Sequence, residues 1–190
     1  METILEYERD WFLWLNNSHT PFLDDFIIWF AGAWIWLPTV LVPLYFVWKD
    51  RKHALPVFLG IVAVVVLGML LPAFVIKPIF ARFRPITHPD FKEHVMLLND
   101  IRANGLYGFV SGHASTAFSF AVFTLLIIRK YIYSILILIW ALLIGYSRIY
   151  MGAHFISDVI GGIIVGILLG WATYALYKRF TSRKLTVASP

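Results

Sequence analysis

The sequence predicts an all-α fold, a polytopic transmembrane helix bundle of about five spans preceded by an N-terminal amphipathic helix. Three observations carry this. Of the 190 residues, 60% are hydrophobic and only 14% are charged, whereas a soluble domain carries roughly a quarter. The mean hydropathy is +0.76. Several apolar runs reach the roughly 20 residues that a helix rising about 1.5 Å per residue needs to cross a core of about 30 Å. The length fits a single membrane domain over 1–190.

The elements follow in chain order. Residues 1–20 place Ile4, Leu5, Trp11, Phe12 and Leu15 at helical spacing against Glu2, Glu6, Glu8 and Asp10. This is too short and too acidic for a secretory signal. It reads as a helix lying at the interface, or equally as one packed on the bundle. Five spans come next, at about 26–48, 54–76, 109–128, 131–146 and 155–177. The fourth is short and is expected to stop near Tyr146, below the headgroups. Pro38, Pro43, Pro56 and Pro72 are tolerable where neighbouring helices satisfy the freed carbonyls. An outer loop, 77–108, joins spans two and three. In it Phe91, Val95, Leu98 and Ile101 recur near helical spacing, as in a lid or a packing cap.

Charge sets the topology. The connections after spans one and three, and the tail 178–190, hold Lys49, Arg51, Lys52, Arg129, Lys130, Lys178, Arg179, Arg183 and Lys184, with Asp50 the one acid among them. With five spans these segments share one side, which the positive-inside rule makes cytoplasmic. The expected location is the bacterial inner membrane, multi-pass, with the loop 77–108 facing outward. The net charge of +5 is thus a topology signal. No Lys/Arg stripe interleaves with aromatics, so no nucleic-acid partner is expected. The absence of cysteine excludes disulfides, a thiolate nucleophile and Cys-ligated metal.

Three polar clusters interrupt the apolar sequence: Lys77 to Arg84-Pro85, Ser111-Gly112-His113, and Ser147-Arg148 with His154 and Asp158. Ionisable groups beside membrane spans are costly and mark function by default. Span parity puts all of them on the outer face. Lys77, Arg84 and Arg148 against Asp158 leave a fixed charge of about +2, which suits a phosphate dianion, and guanidinium forks match phosphate oxygens. Ser111 at a helix start leaves N–H groups pointing outward, and Gly112 admits an anion closely. His154 and Asp158 lie one helical turn apart, so the carboxylate can hold one imidazole nitrogen and leave the other as a lone pair. Such an imidazole can attack phosphorus, and His113 can protonate the leaving group. No metal and no cofactor are expected, because three cations would repel a metal ion and already do its electrostatic work.

These residues resemble the signature of the type 2 phosphatidic acid phosphatase superfamily, the membrane lipid phosphate phosphatases: Lys-x6-Arg-Pro, Pro-Ser-Gly-His, and Ser-Arg-x5-His-x3-Asp. The first and third fit without gaps; in the second, Val110 stands where the family usually has Pro. The resemblance implies metal-independent hydrolysis with His154 as nucleophile, Asp158 orienting it and His113 as general acid. It implies Lys77, Arg84, Ser111, Gly112 and Arg148 as phosphate ligands. The expected substrate is a lipid phosphate, with undecaprenyl pyrophosphate favoured over phosphatidylglycerophosphate, phosphatidate and lipid A phosphate. Phosphotransfer to an alcohol, or a non-catalytic lipid-binding role, are the other classes.

Three further readings complete the expectations. Arg82 either touches the headgroup or supports the site. Gly162, Gly166 and Gly170 recur every four residues on span five, a spacing that lets helices approach closely, within the monomer by default. His19 and His53 read as surface residues without partners.

Overall fold

The computed structural model describes residues 2–98 and 105–187. Ile101 of the outer loop and the last three residues of the tail lie outside them. The described chain is helical: α1 (Glu2–Asn16), α2 (Pro21–Ala31), α3 (Leu37–Lys49), α4 (Arg51–Leu71), α5 (Lys77–Phe80), α6 (Gly112–Ile128), α7 (Tyr131–Tyr150) and α8 (Ile156–Val187). Three continuous helical segments are long and apolar enough to cross a membrane, Arg51–Phe80, Tyr131–Tyr150 and Ile156–Thr181, and two shorter apolar helices accompany them, Leu37–Phe46 and Gly112–Ile128. The protein is a multi-pass membrane protein.

Several boundaries differ from those expected. The first span is broken: Gly32 ends α2 and a 3₁₀ turn, Ala33–Trp36, leads into α3. Pro38 in the first turn of α3 has no N–H with which to continue a helix from α2. The second span runs on past Pro72 through a π turn, Pro72–Ile76, so Lys77 is helical and not part of a loop. The helix stops at Ala81, whose φ of 45° is left-handed. The fourth span is not short. It reaches Tyr150 and carries Ser147 and Arg148 in its last turn. The tail is helical through Val187 as a continuation of α8.

The third span is the one that shortens, to 17 residues, because α6 is the central helix of the bundle. Ala114 to Ala121 are buried on every side, and an all-round apolar helix belongs in such a place. Phe120 and Phe123 meet Val57, Ile61 and Val64 of α4 and Ile137, Ala141 and Ile144 of α7. Against α8 the contact is closer still. A Cβ on Gly162, Gly166 or Gly170 would come within 2.6 Å of the carbonyl oxygens of Ser111, Ser115 and Ser119 in turn. The glycine row therefore seats α8 directly on the α6 backbone within the monomer.

At one end of the bundle lie the basic connections, where Arg129 donates to the Tyr174 hydroxyl (2.6 Å) and Arg51 and Lys52 share a groove with Phe180 and Thr181. At the other end α1 straps across the outer face. Its inner side buries Phe12 against Phe91 and Phe155. Asn16, fully buried, donates to the carbonyls of Met96 and Tyr150 and accepts from the Met96 N–H. Its outer side exposes Tyr7, Trp11 and Trp14, aromatics of the kind that favour a membrane–water interface. Both readings of α1 thus apply, one to each face. The outer loop packs as a cap, with Phe91 and Val95 buried. His19 and His53 do have partners: Asp24 at 2.7 Å and Asp50 at 2.6 Å.

Candidate active site

The three clusters meet at the α1 end of the bundle. Residues 82–84 and 105–108 clip the loop shut, through the Phe83–Tyr107 bridge and bonds from Gly108 N–H to Arg82 and Arg84 N–H to Leu106. Pro85 starts a 3₁₀ turn there and leaves Arg84 extended at its head. Arg84 is thereby turned inward. Its Nε donates to the Gly105 carbonyl (3.0 Å), and its Nη1 to the Ala153 carbonyl (3.3 Å) and to His154 Nε2 (3.0 Å).

His154 lies in the short link between α7 and α8 and is 2% exposed. Its Nδ1 stands 3.5 Å from Asp158 Oδ2, at the outer limit of a hydrogen bond, and has no closer partner among the described residues. Burial pushes the imidazole down to about 4; Asp158 opposes this, and Arg84 and Lys77 add to it. The ring is therefore neutral at pH 7. Burial likewise holds Arg84 below its ordinary value, against the pull of Asp158.

Asp158 is fully buried and does more than face His154. Its Oδ2 accepts the Phe155 N–H (3.0 Å), reaching back to cap its own helix. Its backbone carbonyl accepts the Ser111 N–H (2.8 Å), which fastens the head of α6 to the head of α8. Gly108 is required beside it, since a Cβ there would lie 2.9 Å from Oδ2.

From α6, Ser111 is buried and its hydroxyl caps the Ala114 N–H (3.4 Å). Gly112 faces open space, with nothing within 4 Å of where a Cβ would stand. His113 is exposed at the mouth, where it and Gly112 line a cavity with Trp36, Met69 and Thr116. The cations nearest in effect to His113 are Arg148, Lys77 and Arg84. From α7, Arg148 donates through Nε to Ser147 Oγ (3.1 Å), and its buried Nη2 has no acceptor among the described residues. Lys77, half-buried, completes the ring of cations from α5.

Two residues of this region carry more than the sequence suggests. Arg82 does not point at the site mouth. It donates to Asp158 Oδ1 (2.9 Å), to Glu8 Oε2 (2.5 Å) and to Ser157 Oγ, with its guanidinium 4.8 Å over the Phe155 ring. Glu8 also accepts the Ser157 N–H (2.9 Å). Arg82 and Glu8 cancel, so the fixed charge facing a phosphate stays at about +2. No sequence signal links position 8 to position 157. Among the described residues no three His, Asp or Glu side chains converge as a metal site; His88 instead meets Arg9 (3.2 Å) and His94 stacks on Phe91.

The family model described as the PAP2 superfamily matches residues 53–182. A lipid A 4'-phosphatase of Porphyromonas gingivalis is 40% identical over 192 aligned residues, covering 100% of this chain and 81% of that protein. An undecaprenyl-diphosphatase of Sulfolobus acidocaldarius is 32% identical and covers 87% of this chain and 76% of its own length. The crystal structure of LpxE from Aquifex aeolicus superposes with a TM-score of 0.64 at 29% identity, covering 86% of this chain and 92% of that one.

Proposed function

The chain belongs to the PAP2 superfamily and is a membrane-embedded hydrolase of lipid phosphates; from that premise we propose that it removes the 4'-phosphate of lipid A. The observation that carries this is the 40% identity to a lipid A 4'-phosphatase along the whole chain. It moves the preference away from undecaprenyl pyrophosphate, which the 32% identity to an undecaprenyl-diphosphatase keeps as the second reading.

In the proposed reaction His154 Nε2 attacks phosphorus as Arg84 turns from the imidazole to a phosphate oxygen. The bond between phosphorus and the sugar oxygen breaks, and His113 gives that oxygen its proton. Water then attacks the phosphohistidine, His113 takes up its proton, and inorganic phosphate leaves. Arg84, Arg148, Lys77 and the N–H groups opening α6 hold the phosphoryl oxygens, where charge builds in the transition state. The unbonded, buried Nη2 of Arg148 supports this role. Asp158 holds the Nδ1 proton. Ser111 contributes chiefly through the cap it gives α6. The positive-inside charge pattern supports an inner-membrane enzyme whose site faces the periplasm.

The test is phosphate release by the purified protein from lipid A, undecaprenyl pyrophosphate, phosphatidylglycerophosphate and phosphatidate in detergent. Mass spectrometry of the lipid A product would locate the lost group. Preference for lipid A with loss at the 4'-position is expected; faster release from undecaprenyl pyrophosphate would favour the second reading. His154→Ala should lower release about a thousandfold or more and abolish an acid-labile phosphoprotein. Unchanged release would sink the catalytic assignment.

A further inference from the structure

Glu8, which precedes the nearest motif by 69 residues of sequence, bonds directly to the head of the helix that carries Asp158. Its two carboxylate oxygens divide the work: Oε1 accepts the Ser157 N–H (2.9 Å) and Oε2 accepts Arg82 Nη2 (2.5 Å). The guanidinium spans the remaining gap, since its Nη1 donates to Asp158 Oδ1 (2.9 Å). Asp158 Oδ2 is left to the Phe155 N–H and the imidazole. The chain of contacts is sheltered, with side-chain exposures of 14% for Glu8, 26% for Arg82 and 0% for Asp158.

We infer that Glu8 and Arg82 are positioning residues for hydrolysis, fixing the Asp158 carboxylate so that one oxygen is presented to His154. The reasoning is geometric. A buried carboxylate with only one helix-cap bond can rotate about its last torsion, which is broad and two-fold. Arg82 pins Oδ1 on the side away from the imidazole, so that rotation would break a charge-assisted bond. Arg82 in turn has freedom of its own, and Glu8 removes it by holding the other arm of the fork. The same Glu8 carboxylate sits at the N-terminus of α8, where the helix dipole favours an anion. On this account α1 is part of the catalytic apparatus: its inner acid sets the aim of the nucleophile's partner. The inference rests on the roles proposed above for His154 and Asp158.

The experiment uses the full chain in detergent, with phosphate release from lipid A and from phosphatidate as the two probes. Asp158→Asn, Glu8→Gln and Arg82→Gln are compared with the double variant Glu8→Gln/Asp158→Asn. Glu8→Gln and Arg82→Gln should each lower kcat about ten- to a hundredfold while KM stays within about twofold, as for outer partners that orient a reacting group. In the Asp158→Asn background Glu8→Gln should add no further loss, because its effect runs through that carboxylate. Where Arg82→Gln fails to fold, Arg82→Lys keeps the charge but cannot bridge two carboxylates, and the same loss in kcat is expected. If Asp158→Asn is inactive while Glu8→Gln and the folded Arg82 variant turn over like wild type, or if the losses multiply in the double variant, the inference is overturned and the catalytic reading stands. If Asp158→Asn itself is fully active, the catalytic reading falls and takes this one with it.

Discussion

Arg84 Nη1 stands 3.0 Å from His154 Nε2. Arginine has only donors, so this contact assigns the lone pair to Nε2 and the proton to Nδ1, on the Asp158 side. On the roles proposed for them, the nitrogen that would attack is thus already selected, and the cation that covers it is the one that would receive the incoming phosphate.

A pH dependence follows. Attack needs the neutral imidazole, and burial with Arg84 and Lys77 pushes His154 down to about 4. Falling pH removes the nucleophile only when it passes that value. The acid limb of kcat/KM should therefore lie well below the ordinary histidine value of about 6.5. Removing a cation raises the imidazole, so the limb should move to higher pH in Arg84→Gln. A limb that stays or moves down in that variant would contradict the electrostatic account.

Chelation should do nothing. Three fixed cations already supply the charge that a metal would bring to the phosphoryl oxygens. Phosphate release measured with and without EDTA is expected to be equal. Loss of activity with EDTA, restored by a divalent metal, would refute metal-independent chemistry.

Gly162→Ala should be costly for one methyl group. The new Cβ would stand 2.6 Å from the Ser111 carbonyl oxygen and 3.0 Å from Ala114 Cβ. Overpacking of this kind costs about 1–3 kcal/mol, read as a lower Tm in detergent. Because Ser111 heads α6, turnover should fall as well. A variant with wild-type Tm and activity would show that the seam can relax.

Asn16→Ala should loosen the outer cap. It strips partners from the Met96 N–H and carbonyl, which are part-buried, and from the buried Tyr150 carbonyl, and the buried group left unpaired costs about 1–3 kcal/mol. A lower Tm and faster protease cleavage near Met96 are expected. Cleavage at the wild-type rate would mean that α1 does not restrain the loop.

The sequence was most legible where a residue's place depends on its near neighbours. Ser111 sits where an apolar run begins and caps α6, and His154 and Asp158 do face each other at 3.5 Å, although His154 stands in the link before α8 and not on its first turn. Span parity carried the longer step, bringing Lys77, Arg84, His113 and Arg148 to one end. Boundaries were less legible. Lys77 reads as loop because the apolar run ends just before it, yet the helix runs on through a π turn at Pro72–Ile76 and carries Lys77. The fourth span reads as short because its last turn is polar, although those polar residues face the site and not lipid. Least legible was the role of Arg82 and Glu8. Their meeting depends on how α1 lies across the bundle, which no spacing encodes.

The glycine row on α8 has a consequence for how such a site can change. The two jaws that would grip a phosphate, the heads of α6 and α8, are spaced by backbone resting on backbone. No side chain in that seam can switch rotamer to widen or narrow the gap. The jaw spacing is a fixed gauge, whereas the surfaces that would meet the rest of a lipid, in α1 and loop residues 81–98, are side chains on separate segments. Substitution there can retune which lipid is admitted without resetting the gauge.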